Sequence, residues 1–413
     1  MKTVLMTSSL LVSLSVMSYA QSNVSTLNQI GVGQEAVINQ NGFGQNAKLI
    51  QTGTANANNY GGITQSSGQQ SATLNQTEGT KNSFININQS STTSSDNIFG
   101  NTATVTQSGV GYSNSTAATP TNASDAVSIG GMAVDVVQSG QSNAITVEQS
   151  GNESGGNKVS VAQTGSDNTG VITQTNVSSN IVNLTQVGDN NSSTLTQTQS
   201  SEGTLDVMQT GNSNDVKVSQ VNYAKNFITI SQTGNNNLAT ATSTDNGYNG
   251  IGTISISQTG DNLTAGVTQV GSWNNAQIKQ FNSEESGSSV DVTQNGYANY
   301  TKVTQGTEDN AVANSVAIVT QNGFHNYAGL KQTGINQAAT ISQNGPENRL
   351  SGLDGISDSF ATQSGTGNTL TLSQSNEAWG FWGNYWPEWY SGNLAMVSQV
   401  GTGNTATITQ VVR

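Results

Sequence analysis

The chain of 413 residues contains no cysteine, a single histidine and only three prolines. The absence of cysteine excludes disulfide bonds, thiolate metal ligands and thiol nucleophiles. Charged residues make up 8% of the chain, and the formal net charge is −13. Nucleic-acid binding depends on neutralising phosphates with Lys and Arg, so this balance argues against it. Beyond the N-terminus, no segment approaches the roughly 20 apolar residues that a membrane-spanning helix needs.

Side chains that could support catalysis are scarce. The single histidine, His325, lies in the segment Asn-Gly-Phe-His-Asn and is expected to be a solvated turn residue rather than a catalytic base. The paired carboxylates Glu284–Glu285 and Glu308–Asp309 lie in Gly-, Ser- and Asn-rich segments and are expected to be exposed charges that discourage wrong packing. The sequence therefore predicts a protein that is not an enzyme, with no catalytic or metal-binding residue and no cofactor.

The first 20 residues have the composition of a secretory signal peptide. Lys2 precedes an apolar stretch over residues 10–17, and the small residues Ser18 and Ala20 fit a cleavage site after Ala20. We therefore expect residues 1–20 to be removed and the chain to be exported. The alternative is a buried N-terminal helix.

The rest of the chain repeats one unit, N-x-φ-x-φ-x-Q, in which φ is aliphatic or small. The Gln recurs most often every 11 or 12 residues, and longer spacings add Gly, Ser or Asn before the unit. The position two before the Gln is aliphatic, as in Ile172 and Leu195, whereas the position directly before it is usually a hydroxyl or Lys, as in Thr173 and Lys279. A period of two places Asn, both φ residues and Gln on one face of a β-strand.

Buried amides are costly unless they are hydrogen-bonded, and stacked strands let Gln pair with Gln and Asn with Asn along the stacking axis. One rung of two strands cannot offset its own ordering entropy, so stability must come from neighbouring rungs. We therefore predict an all-β fold, a β-solenoid of about 15 strand–turn–strand rungs with stacked Gln/Asn ladders. The predicted ladder residues are Gln138, Asn143, Gln149, Gln163, Asn168, Gln174, Gln186, Asn191, Gln197, Gln209, Asn214, Gln220, Gln269, Asn274, Gln280, Gln321, Asn326, Gln332, Gln399, Asn404 and Gln410.

This solenoid is expected to occupy residues 21–413, with loop insertions near residues 108–121, 344–355 and 375–391. All three prolines fall in these insertions, where a missing N–H breaks no ladder. Two irregular segments, residues 122–128 and 237–243, are expected to be degenerate strands with Ser in place of Gln.

The signature Q-x-G-x-x-N-x-A-x-x-x-Q resembles the curlin repeat of bacterial curli fibres. It is intact at residues 269–280, 321–332 and 399–410, with close variants at 138–149, 163–174, 209–220 and 363–374. The resemblance implies a secreted amyloid subunit that polymerises on the cell surface into biofilm fibres. It also implies partners: other curlin-like subunits, an outer-membrane secretion pore and a nucleating minor subunit. The chain holds more repeats than is typical of that family.

An aromatic insert interrupts the repeats near the C-terminus. Its residues are Trp379, Phe381, Trp382, Tyr385, Trp386, Trp389 and Tyr390. Exposed aromatics in a polar protein usually mark a contact surface. A polysaccharide, a partner subunit and lateral fibre packing are all open as its target, as is a loop that folds onto itself or caps the solenoid.

The leading functional hypothesis is a secreted structural subunit of curli-like amyloid fibres that assembles head-to-tail through open β-edges and serves biofilm matrix and cell adhesion. One alternative is a minor, nucleating subunit of such fibres. Another is a monomeric β-solenoid adhesin that binds polysaccharide or a surface through the aromatic insert. Calcium binding by the Gly-Asp-Asn turns at residues 188–190 and 260–262 also stays open, as does the handedness of the solenoid.

Overall fold

The computed structural model of the chain describes residues 23–53, 58–77, 82–91, 100–110, 131–152, 156–221, 225–245, 250–282, 287–307, 312–353, 359–376 and 392–412. The predicted signal peptide, the degenerate strand predicted at residues 122–128 and the seven aromatic residues of the insert lie outside these ranges. The chain divides into two compact units, residues 1–202 (unit 1) and 203–413 (unit 2).

Unit 1 consists of parallel β-strands that alternate between two sheets. In chain order they are β1 (Val24–Ile30), β2 (Glu35–Asn41), β3 (Asn46–Thr52), β4 (Tyr60–Ser66), β5 (Ser71–Gln76), β6 (Phe84–Ser90), β7 (Thr102–Val110), β8 (Ala133–Gln141), β9 (Ala144–Asn152), β10 (Lys158–Ser166), β11 (Thr169–Thr175), β12 (Ile181–Val187) and β13 (Ser192–Thr198). The odd-numbered strands form sheet 1 and the even-numbered strands form sheet 2, each stacked in chain order.

Unit 2 is built in the same way. Its strands are β14 (Thr204–Thr210), β15 (Asp215–Val221), β16 (Phe227–Thr233), β17 (Leu238–Thr244), β18 (Thr253–Thr259), β19 (Thr264–Val270), β20 (Asn275–Phe281), β21 (Ser289–Tyr297), β22 (Tyr300–Gln305), β23 (Val312–Ala313), β24 (Val316–Phe324), β25 (Tyr327–Ile335), β26 (Ala338–Asn344), β27 (Arg349–Ser351), β28 (Ala361–Thr366), β29 (Thr369–Asn376), β30 (Leu394–Met396), β31 (Ser398–Thr402) and β32 (Thr405–Val412). Sheet 3 stacks β15, β17, β19, β21, β24, β26, β29 and β32, and sheet 4 stacks β14, β16, β18, β20, β22, β25, then the pairs β27/β28 and β30/β31.

Every level pairs in register with the next level of its sheet. Gln149 lies beside Gln174, for example, and Val147 beside Ile172. The predicted all-β fold, a β-solenoid with stacked Gln and Asn, is therefore confirmed. The expected number of about 15 rungs is only approximate, since insertions split some levels of sheet 4 into two strands. Among the described residues, no helix has the length and apolar character to cross a membrane.

The alternation of side chains explains why these strands stack. Residues of the core face, such as Leu49, Leu74 and Val105 of sheet 1, are fully buried above one another. The opposite face, the outer face, is lined largely by Thr, Ser and other polar residues and is partly exposed. Each buried aliphatic side chain contributes on the order of 1.5–3 kcal/mol, and each gains its neighbours from the levels on either side.

The insertions differ from the sequence-based boundaries at two places. The loop expected near residues 344–355 starts later, because Leu350 of β27 fills an aliphatic core position and is fully buried. The insertion therefore falls inside one copy of the N-x-φ-x-φ-x-Q repeat. Its last two core positions are Ala361 and Gln363 of β28. Near residues 108–121, the strand β7 continues through Val110 because it pairs with β9 along its whole length.

Candidate functional site: amide ladders and terminal strands

In unit 1 the core Gln side chains form two continuous hydrogen-bonded ladders. In sheet 1, the Nε2 of Gln149 donates to the Oε1 of Gln174 at 2.7 Å, and Gln174 donates to Gln197 at 2.7 Å. In sheet 2, Gln138 donates to Gln163 at the same distance. The direction never changes, so each earlier Gln donates and each later Gln accepts.

Unit 2 carries the same ladders with one interruption. In sheet 4 the ladder is continuous from Gln209 to Gln399, with N···O distances of 2.8–3.0 Å. In sheet 3 the segment predicted at residues 237–243 is the strand β17, and its Ser243 takes the Gln position between Gln220 and Gln269. Serine is too short to reach the next level, so the Oε1 of Gln269 is buried without a hydrogen-bond partner.

The Asn residues that begin copies of the N-x-φ-x-φ-x-Q repeat also form ladders, in which the hydrogen bonds run in the opposite direction to those of the Gln ladders. In sheet 1, both the backbone N–H and the Nδ2 of Asn168 donate to the Oδ1 of Asn143, at 3.2 and 2.9 Å. In sheet 4, Asn326 donates to Asn299 through the same two groups. Here the later residue donates and the earlier accepts. The two kinds of ladder therefore give each of the two compact units a chemical polarity from its first strand to its last.

Core Gln residues also bond the strand before them in the chain, as Gln343 bonds the Tyr327 carbonyl, and several bond the segment after them as well. The Nε2 of Gln374 donates to the carbonyl of Arg349 in β27 and to that of Asn393 just before β30, both at 3.0 Å. Gln363 bonds the corresponding carbonyls of Ala338 and Asn368. Because sheets 3 and 4 show the same pattern, the two half-turns of the solenoid are equivalent.

The structure places all the predicted ladder residues on core faces. They are buried, except for Asn404 and Gln410, which are half-buried in the last strand. Gln149, Gln174 and Gln197 share sheet 1 with their Asn partners, whereas Gln269 and Gln280, neighbours in sequence, lie in different sheets. Asn101, Asn299, Asn348 and Asn393 also belong to the ladders and were not predicted; the signal that finds three of them is an Asn six residues before a core Gln.

The close stacking of the turns explains why the Q-x-G signature contains glycine. Gly323 has a φ of +119°, and a Cβ at this position would lie 2.3 Å from the carbonyl oxygen of Gly345 in the next turn. Gly271 is similar, with a φ of +96° and 2.2 Å to the Gly296 oxygen. Turns that stack this closely require glycine on both grounds. At the last of these turns, Gly401, the nearest atom is 3.5 Å away, because no further described turn stacks on it.

The titratable groups lie outside the ladders. His325 is exposed in its turn, as expected, next to the rings of Phe324 and Tyr297. In the Gly-Asp-Asn turns, Asp189 accepts a bond from the Ser166 N–H at 2.8 Å and Asp261 from the Asn235 N–H at 2.6 Å. Among the described residues, no three His, Cys, Asp or Glu lie close enough together to hold a metal ion.

Among the described residues, the pKa values of Tyr60 and Lys217 are raised above their ordinary values. Burial, and secondly the charge of Glu35, raises the pKa of Tyr60, which stacks on Phe84 with ring centroids 5.0 Å apart. A hydrogen bond to Asp215 raises the pKa of the fully exposed Lys217. Because amides do not titrate, the ladders themselves are insensitive to pH in the physiological range.

At the N-terminal end of unit 1, no strand of the described residues lies on the outer side of β1 or β2. The core-face residues Leu27 of β1 and Ile38 of β2 are only half-buried, whereas their counterparts in the next levels are fully buried. Gln29 and Gln40 begin the two Gln ladders, and each donates onward to the next level. No earlier Gln in the described chain donates to them, so their Oε1 atoms are the acceptor ends of the Gln ladders; the Oε1 of Gln40 accepts from the Ser25 hydroxyl at 2.5 Å.

The C-terminal end of unit 2 presents the complementary groups. Gln410 accepts from Gln374 at 2.7 Å and donates one N–H to the Leu394 carbonyl at 2.8 Å. No later Gln in the described chain accepts its second N–H. Gln399 is the last Gln of sheet 4. On β32, the backbone groups of the outer-face residues point away from β29, since in a parallel sheet alternate residues bond opposite neighbours. At this end no described strand bonds the outer side of β30/β31 or β32, so it presents Gln donors and outward-facing backbone groups.

The matched family is the curlin associated repeat, whose model fits residues 253–281, 313–345 and 391–411. These stretches lie over strands β18–β20, β24–β26 and β30–β32, and each contains or overlaps an intact copy of the signature. The chain contains curlin associated repeats. A search of curated proteins finds no match.

Each position of the curlin repeat has a structural role in this chain. Its Gln and Asn positions are the ladder residues, its Ala and aliphatic positions fill the core, and its Gly is the closely stacked turn. The curlin repeat family is structural rather than enzymatic and comprises extracellular curli subunits. In this chain the amides of the ladders hydrogen-bond stacked strands to one another.

Proposed function

We propose that this chain is a secreted structural subunit of extracellular curli-like amyloid fibres, serving biofilm matrix and cell adhesion. Subunits add head-to-tail, so that the C-terminal edge of one molecule meets the N-terminal edge of the next. The main support is that no described strand covers the outer side of the first or the last strands, which are parallel and built from the same repeat unit, with Gln donors at one end and Gln acceptors at the other. Such edges template further strands unless they are covered.

The proposal is tested by assembly of the purified chain and of an edge-blocked variant. We expect the unmodified chain to form fibres that bind thioflavin T. Thr407→Pro should fold but not assemble alone, because the N–H of Thr407 faces outward from β32 and proline is tolerated at such edge positions. Added in small amounts to unmodified chain, it should cap growing ends and slow elongation.

A matched control lies one level below. Thr371 of β29 is the register partner of Thr407, and its N–H faces β32 rather than solvent. Thr371→Pro should therefore lose β-structure by circular dichroism, whereas Thr407→Pro should keep it. Thr407→Pro that assembles at the normal rate would show that β32 is not a growing edge. An unmodified chain that stays monomeric at high concentration would refute the polymer.

Export is a further part of the proposal. The signal peptide predicted at residues 1–20 would deliver the chain to secretion and nucleation machinery in the outer membrane. N-terminal sequencing of exported protein should begin at Gln21; a chain that retains Lys2 outside the cell would contradict this processing.

The adhesin alternative rests on the aromatic insert. Because β29 extends to Asn376, deletion of residues 377–391 removes the aromatic residues and spares that strand. Loss of binding to polysaccharide with fibres unchanged would assign adhesion to the insert and polymerisation to the repeats. The nucleating role is separated by kinetics: a minor subunit would shorten the lag phase of another curlin-like subunit without being the main mass of the fibre.

A further inference from the structure

We infer that successive subunits dock with a half-turn offset, so that β1 of the incoming molecule pairs with β30/β31 and its β2 pairs with β32. The inference rests on the proposed function, since it describes the contact between two copies of this chain. The alternative is direct docking, in which the incoming β1 pairs with β32.

The path of the chain favours the half-turn offset. In unit 2 each strand pairs with the strand one full turn earlier, and the strand after β32 would lie on the open edge of β30/β31. The first described strands of the incoming molecule are β1 and β2. With the offset, β1 therefore pairs with the open edge of β30/β31, and β2 pairs with β32. The two half-turns are equivalent in their Gln-to-carbonyl bonds, so β1 can follow β32 as any strand follows its predecessor.

The offset satisfies every open edge. In direct docking, β32 is covered by β1, but the edge of β30/β31 and that of the incoming β2 lie about two strand spacings apart, on the order of 10 Å. Both edges would then remain unpaired inside the fibre, at the cost of a row of unbonded N–H and C=O groups. With the offset, all four edges are hydrogen-bonded.

The last Gln residues provide the matching side-chain chemistry. Gln399 bonds the carbonyls of Thr369 before it and Asn404 after it, whereas Gln410 bonds only the earlier one, Leu394, as the interior Gln343 bonds only Tyr327. With the offset, the carbonyl of the incoming Asn23 takes the position that the Asn404 carbonyl has for Gln399. The two Gln ladders then continue from Gln410 and Gln399 into the next molecule, onto the acceptor ends described above.

Outer-face side chains are compatible with the offset. It brings together Val400 and Ile30, which are 73% and 59% exposed, and places Glu35 beside Thr405. A polar neighbour such as Thr405 costs the Glu35 carboxylate less desolvation than an apolar one. In direct docking the strand β2 stays about two strand spacings from β30/β31, so Glu35 gains no neighbour there.

Introduced cysteines distinguish the two arrangements, because the chain has none of its own. Chains with a single cysteine are mixed in pairs, assembled and oxidised, so that every disulfide between the two variants joins different molecules. The offset makes neighbours of Ser398 and the incoming Asn28, and of Thr409 and the incoming Asn39. All four side chains are exposed, and adjacent strands about 4.8 Å apart lie within disulfide range.

We expect the mixtures S398C with N28C and T409C with N39C to give cross-linked dimers, and T409C with N28C and S398C with N39C to give none. The double variant S373C/T409C is the internal control, since these residues are register partners within one chain and should form an intramolecular disulfide. Fibres in which T409C links to N28C would overturn the offset, as would fibres with no inter-subunit disulfide when the control forms. Absence of fibres would refute the proposed function itself, with the offset.

Discussion

The break in the Gln ladder at Ser243 predicts that the same substitution has very different effects at two levels of sheet 3. Gln343 lies inside an intact ladder: it accepts from Gln321 at 2.8 Å and donates to Gln374 at 2.8 Å. Gln269 lies beside the break and has only one ladder partner, Gln294. We consider replacement of each by methionine, which has nearly the same length and no branch.

The magnitude follows from counting buried groups that lose or gain a partner. Gln343→Met leaves one N–H of Gln321 and the Oε1 of Gln374 unbonded, and each buried unsatisfied group costs about 1–3 kcal/mol. Gln269→Met leaves only the Oε1 of Gln294 unbonded, and it removes the unpaired Oε1 of Gln269 itself. Each variant also loses one bond to a backbone carbonyl and gains one apolar side chain. We therefore expect a difference of about 4 kcal/mol, with Gln343→Met the less stable.

Hydrogen exchange measured by mass spectrometry is the appropriate assay, since a long repeat array does not unfold as one cooperative unit. Amides of β26 in Gln343→Met should exchange roughly 1,000-fold faster than in the unmodified chain, whereas amides of β19 in Gln269→Met should change little. Equal changes at the two levels would refute the view that partnered amides, rather than side-chain packing alone, stabilise the stack.

Four further predictions concern single sites. Ser243→Gln should stabilise β17 by about 1 kcal/mol, since it gives the Oε1 of Gln269 a donor but loses side-chain entropy; faster hydrogen exchange in β17 would contradict this. Gly365→Ala, with a φ of +112° and a Cβ 2.0 Å from the Gly401 oxygen, should cost about 3 kcal/mol or more, measured by hydrogen exchange of the amides in β28 and β31. Gly401→Ala has a similar φ of +114° but no backbone neighbour in the described chain; it should cost only about 1–2 kcal/mol of strain, yet stop fibre elongation, and normal elongation would count against docking at this turn. Finally, the pKa of Tyr60 is raised in the folded chain, so the stability that its neutral phenol contributes is complete below the ordinary value of 10.0 and is lost as the pH rises through the raised value. Alkaline titration followed by circular dichroism should show this loss, and Tyr60→Phe should remove it.

Much of the fold could be predicted from the sequence, because the repeat fixes both the face and the register of each strand. Val147 and Ile172 are aliphatic at the same distance from a core Gln, and the structure places them side by side. Even the degenerate strand with Ser243 follows from the spacing of its neighbours. A one-residue slip would move every aliphatic residue to the outer face, so the register tolerates little ambiguity.

The rest depends on features that a repeat pattern does not contain. The period cannot locate an insertion that falls inside the unit, as between Leu350 and Ala361. A Gln side chain carries both a donor and an acceptor, so the sequence does not show to which neighbour it donates. The direction of the ladders is seen only in the hydrogen bonds, as at Gln374, which accepts from Gln343 and donates to Gln410. The cost of Ser243 is visible only in its neighbour, the unpaired Oε1 of Gln269.

X-ray fibre diffraction from aligned assemblies of the purified chain tests the central claim most directly. If open terminal strands continue the solenoid from one molecule to the next, the strand spacing runs along the fibre axis, and a sharp meridional reflection at about 4.7–4.8 Å is expected. A chain that remains a soluble folded monomer, or fibres whose strand spacing lies across the axis, would contradict head-to-tail docking through β1, β2, β30/β31 and β32.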